Sequence, residues 1–226
     1  MTTTNENESE LAPFGEWQTT EELEKRFWRL SDKLSPFVAR HGGRNTKKLR
    51  DEFMPIIALA KELGSQPRAW DQRLEIRCNP RNLKTSAKNE LDGEIRWHCF
   101  QKEISSELPR QSIEVTRCQL NVLAERREEE KLHEGGEPDL GVRDTITWSE
   151  VLGQAFERVN SKLTKNYPPN TILVLYVEGD EAHNAINWWK ENPTELDALL
   201  NLAAKKFSHL FLWGPSAGRH FAKLKH

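Results

Sequence analysis

Two carboxylates and two lysines stand in this chain where such side chains do chemistry. Asp92 opens an alternating segment, GEIRWHCF over 93–100, and Glu114 lies inside another, SIEVTRC over 112–118. A carboxylate in the middle of an apolar strand costs free energy unless it is paired or coordinates a cation. Two of them on adjacent strands can hold Mg²⁺ or Mn²⁺, with water in the other positions. Ile113 and Val115 point away from Glu114. If their face is core, Glu114 looks into a cleft shared with Asp92. Two unpaired carboxylates there would repel, so a divalent cation should bind and raise stability. Removing one, as in Glu114→Gln, should then relieve the metal-free protein. Lys162 and Lys165 fall with Gln154, Arg158 and Ser161 on the polar side of a helical pattern. An ammonium there can position or deprotonate an attacking water, or offset charge on a phosphoryl centre. Plainer readings exist for each group. Asp92-Gly93 is a common turn pair, and lysines on a polar helix face are ordinarily solvated.

The elements that must position these groups are legible from periodicity. Leu23, Phe27, Leu30 and Leu34 mark a helix over 20–37, with Thr19 or Thr20 as its cap. A second helix spans 45–63, bent or begun at Pro55 and ended by Gly64. Strands follow over 73–78, 93–100 and 112–118, close enough for a meander. A helix is expected over 120–132 and an acidic Gly/Pro loop over 134–144. The stripe Val151, Leu152, Ala155, Phe156, Val159 and Leu163 gives a helix over 148–166. TILVLYV over 171–177 is apolar throughout, as in a strand buried on both faces. A helical stretch over 181–207, interrupted near Pro193, leads to a last core strand over 209–213. Strand-helix-strand units at the end imply a parallel part of the sheet. The fold class is therefore α/β, a mixed central sheet with helices on both faces. Residues 1–15 read as a disordered tail and 16–226 as one domain.

This arrangement resembles the PD-(D/E)xK nuclease superfamily over about residues 45–214. That family's core is helix, three-strand meander, helix, strand. Its motif is an acid at the start of the second strand, then acid-x-Lys on the third. The resemblance implies a restriction-endonuclease-like core with an N-terminal helical extension. It implies Asp92 and Glu114 as metal ligands, Glu52 as the acid from the first core helix, Mg²⁺ or Mn²⁺ as cofactor, and hydrolysis of DNA phosphodiester bonds. Leu91 stands where the family has Pro, and Thr116 where it has Lys. Some members supply the lysine from another element, and Lys162 is then the candidate, with Lys165 second. If neither reaches the site, the resemblance implies a silent nuclease-fold protein that binds nucleic acid or a protein partner, in phage defence or a mobile element. An unrelated α/β interaction protein is the third alternative. Glu52 alone reads as a surface helix residue.

Composition narrows the class without choosing among these. The 226 residues carry 30% charged and 36% hydrophobic side chains with net charge −2. Residues 40–88 hold twelve Lys/Arg against five Asp/Glu, and residues 89–145 hold eight against fourteen. A basic half beside an acidic half suits a phosphate backbone on one surface and a metal on another, so nucleic acid, DNA first, is the expected partner. Binding should weaken steeply with salt. Mutually neutralising solvated faces explain the charge equally well. No apolar stretch is long enough to span a bilayer, and no membrane partner is expected. Three cysteines without CxxC spacing argue for buried thiols and a cytoplasmic setting. The chain could act alone or as a homodimer. His98 and His133 lack a second ligand at metal spacing. Trp188-Trp189 reads as core, and Gly214–Gly218 is not a Walker loop.

Overall fold

The structure, a computed structural model, describes residues 12–31, 49–66, 72–78, 91–99, 110–119, 147–178 and 183–224. The expected helix over 120–132, the loop over 134–144, His133 and much of the basic segment lie outside them. Seven strands form one sheet in chain order: β1 Gln18–Thr19, β2 Gln72–Cys78, β3 Gly93–Cys99, β4 Gln111–Gln119, β5 Ile172–Glu178, β6 His209–Gly214 and β7 Gly218–Lys223. The β4–β5 and β5–β6 pairings are parallel and the other four antiparallel. The five described helices are α1 Thr20–Ser31, α2 Met54–Ser65, α3 Trp148–Leu163, α4 Ala185–Glu191 and α5 Pro193–Ala203. None of them is long and apolar enough to cross a membrane.

Strand alternation divides the interior into two cores, one on each sheet face. Ile172 and Val174 of β5 join Ile76, Ile95, Ile113 and Val115 against α1 and α2 on the first face. Leu173, Leu175 and Val177 turn to the second face, where α3, α4 and α5 cover them. This two-sided burial is why TILVLYV has no polar alternation. Cys118 also faces the second core, and burial pushes its thiol pKa up to about 12. Cys78 and Cys118 are both buried.

The differences from the sequence expectation have local causes. Within 45–63 the α-helix begins only at Met54, after a turn of π-helix at Leu49–Phe53. Pro55 sits in its first turn, where a missing N–H leaves no bond unmade. The helix over 148–166 ends at Leu163, and the stretch over 181–207 resolves into α4 and α5, with Pro193 opening the second. The strand over 209–213 is not the last, because β7 pairs antiparallel beyond it. Its sequence, GRHFAK, is only half buried, so its alternation is weak. Two-residue β1 is too short to show a period. The end of the supposed tail is structured: Ala12–Gly15 forms a 3₁₀ turn that buries Phe14 against Phe53, with ring centroids 4.8 Å apart.

Candidate active site

Glu114 stands in register with Leu173, whose side chain belongs to the second core. Its carboxylate therefore points toward α3, and it is only 3% exposed. It is not left alone there. Lys162 Nζ lies 2.5 Å from Glu114 Oε1, and Lys165 Nζ lies 3.9 Å from the same atom. The ammonium reaches the strand because of how α3 is fixed. Thr147 and Glu150 form a capping box that sets where the helix starts. Val151, Leu152, Ala155 and Val159 are buried and set its rotation. Lys162, three residues beyond Val159, falls at the margin of that stripe and leans over the sheet. Its side chain is 15% exposed.

Asp92 is brought to the same place from the other side. Gly93, in register with Ile113, opens β3, and Asp92 precedes it beside β4, next to the residues that flank Glu114. The Asp92 amide donates to Ile113 O at 3.0 Å, and Asp92 Oδ2 accepts the Val115 amide at 2.7 Å. A side chain, rather than another β3 carbonyl, thus satisfies β4 here. Asp92 is 2% exposed.

Gly93 has its own reason. A Cβ there would lie 2.9 Å from Arg77 O and 3.0 Å from Ile56 Cδ1. Gly93 therefore marks a close approach of β2 and α2. Gly93→Ala should lower unfolding stability by about 1–3 kcal/mol through overpacking. Urea denaturation measures this, and an unchanged midpoint would contradict the tight fit.

A fourth group was not anticipated from the sequence. Tyr167 Oη donates to Glu114 Oε1 at 3.1 Å, and its ring leans on Phe207. Burial, the Glu114 charge, the hydrogen bond to Glu114 and the Asp92 charge all raise the Tyr167 pKa above its ordinary value of 10.0. The phenol is therefore a neutral donor across the physiological range. Because the folded pKa is raised, its contribution to stability is intact below about pH 10. It is lost as pH climbs through the folded value. Alkaline unfolding of the wild type should therefore show a loss beginning near pH 10 that Tyr167→Phe lacks. Matching alkaline profiles for both proteins would refute the placement. Tyr167 follows the end of α3, where helical periodicity gives no information, and only its nearness in sequence to Lys162 hinted at a role.

The structure thus brings together Asp92, Glu114 and Lys162, with Tyr167 added and Lys165 at the margin. Thr116, two residues along the same face, is buried and carries no charge, so the ammonium beside Glu114 comes from α3. Glu52 is carried differently. It sits on the π-helical turn, in the layer that covers the first face. Its neighbour Asp51 pairs there with Arg117 at 3.2 Å, and Arg117 also pairs with Glu178. Among the described residues, no three His, Cys, Asp or Glu side chains cluster as a metal cage. Compared with protein-family models, curated proteins and solved structures, the chain matches none.

Proposed function

We propose that the protein is a metal-dependent nuclease that hydrolyses DNA phosphodiester bonds on a restriction-endonuclease-like core. The observation that carries this reading is the buried Lys162–Glu114 contact, with Asp92 bonded to the backbone on either side of Glu114 and its charge felt, like that of Glu114, at Tyr167. The path α2, antiparallel β2–β3–β4, α3, then β5 parallel to β4 supports it as the order of that core. Asp92 and Glu114 offer hard oxygen donors, which fit Mg²⁺ or Mn²⁺. Mg²⁺ is commonly held by one or two carboxylates with water and substrate phosphate completing the shell. When bound, such a cation polarises a phosphate oxygen and acidifies a water. Lys162 sets a positive charge where negative charge develops on the phosphoryl oxygens, and it orients the attacking water. Tyr167, neutral and donating, keeps the Glu114 carboxylate turned in one direction. Glu52, on the opposite layer, is the candidate acid from the first core helix.

Plasmid nicking with Mg²⁺ or Mn²⁺, against the same reaction in chelator, tests the reading. Nicking that needs the cation is the expected result, and none at any millimolar concentration would end it. The second reading is a silent nuclease-fold protein that binds nucleic acid or a protein partner. Thr116 at the usual lysine position favours it. DNA binding without cleavage would select it.

A further inference from the structure

The second sheet face continues past the carboxylates onto β3, β2 and β1, and among the described residues no helix covers this part. Gln18 pairs with Ile76, so the preceding Trp17 falls beside Arg77. Arg77 is opposite Glu94, and Glu94 is opposite Ser112. Ser112 in turn lies two residues before Glu114, on the same face of β4. Three guanidinium groups gather over the Trp17 ring: Arg96 at 4.3 Å, Arg77 at 4.8 Å and Arg110 at 5.8 Å from its centroid. Two are also gripped at their edges. Arg77 Nε donates to Glu94 Oε2 at 2.5 Å, and Arg96 Nε donates to Glu75 Oε2 at 2.7 Å. Both arginines still keep close to a third of their side-chain surface exposed.

This arrangement limits what the surface can take. An acidic polypeptide binds arginine through the edges of the guanidinium, and Glu75 and Glu94 already hold edges of Arg77 and Arg96. Fixed planar faces suit flat rings. Nucleobases stack on guanidinium planes when they are unpaired, whereas a duplex keeps its base faces to itself. We propose that the Trp17–Arg77–Arg96–Arg110 surface binds a single-stranded nucleic-acid segment. Its bases stack on Arg77 and Arg96, its phosphates run past exposed Arg110, and the strand leads toward Asp92 and Glu114. The choice of DNA as the strand rests on the hydrolase reading; the surface itself does not require that a bond be cut.

Fluorescence anisotropy of the full chain in EDTA, without cleavage, tests the surface. The probe is a labelled oligothymidylate of about 20 nucleotides, longer than the ~4–16 that one comparable binding fold covers. A duplex of equal length and polyglutamate serve as competitors. The wild type should bind the single strand roughly tenfold more tightly than the duplex, with affinity falling as salt rises. The double variant Arg77→Lys with Arg96→Lys keeps both charges and both glutamate partners but loses the planes. It should bind the single strand about tenfold more weakly, with an unchanged circular dichroism spectrum. Equal binding of duplex and single strand, unchanged binding by the double variant, or displacement by polyglutamate as effective as by the oligonucleotide would overturn the proposal. Binding as expected without nicking in Mg²⁺ upholds this surface and removes the hydrolase reading. Cation-dependent nicking with a KM for single strand unmoved by the double variant upholds the hydrolase and removes the surface.

Discussion

Lys162→Ala should destabilise the protein in chelator by about 3–5 kcal/mol, the usual result of removing one partner from a buried ion pair. Glu114 is 3% exposed and would be left without the ammonium that lies 2.5 Å away. Lys165 at 3.9 Å is a weaker substitute, being nearly half exposed. The Tyr167 hydrogen bond contributes to solvating the carboxylate but not to neutralising it. One consequence separates this from an ordinary packing loss. A divalent cation that binds the carboxylates should restore stability, by about 2.7 kcal/mol at a hundred times its Kd. Urea denaturation in EDTA and in Mg²⁺ reads this. Cation affinity should not weaken, because lysine is not a ligand and its charge opposes the metal. Cleavage should fall about 10²–10³-fold if Lys162 stabilises developing charge. A variant within 1 kcal/mol of wild type in EDTA would mean that Glu114 and Lys162 are not a buried pair.

Glu114→Gln should abolish cation-dependent cleavage and sharply weaken cation binding in a calorimetric titration. Its effect on the metal-free fold is expected to be opposite to what two repelling carboxylates imply. The Glu114 charge is already balanced by Lys162, so the amide would leave an ammonium short of its partner. That group is 15% exposed and can turn toward water, so the loss should be smaller than for Lys162→Ala, about 1–3 kcal/mol. Unchanged metal affinity in Glu114→Gln, or a wild type that binds no divalent cation at millimolar concentrations, would defeat the assignment.

Much of the framework was legible because it depends on local period. Alternation located β2, β3 and β4 to within a residue or two at each end. The parity of Ile113, Glu114 and Val115 put the carboxylate on the face opposite the first core. Unbroken apolarity identified β5 as an interior strand, and the stripe from Val151 to Val159 identified α3 and its buried side. The 22 positions from Asp92 to Glu114 are consistent with two neighbouring strands, as the register of β3 and β4 requires.

What the sequence left open depends on distances between elements, and no repeat encodes those. Whether Lys162 or Lys165 meets Glu114 turns on how α3 slides and rotates over β4 and β5, which the volumes of the second core set. The packing puts Lys162 at contact and Lys165 at the rim. Tyr167 reaches the carboxylate only because the chain turns back after Leu163, outside any helical period. Gly93 is explained by the nearness of Arg77 and Ile56, residues distant in sequence. Element order does not say which layer Glu52 joins; its turn packs on the first face because Phe53 beside it is buried in the first core. The Trp17 surface needs four neighbouring strands, β1 to β4, in register before it exists at all. The sequence by itself determined which face each side chain takes, since period alone fixes direction. The tertiary structure decided which of those side chains meet, since contact depends on how whole elements pack.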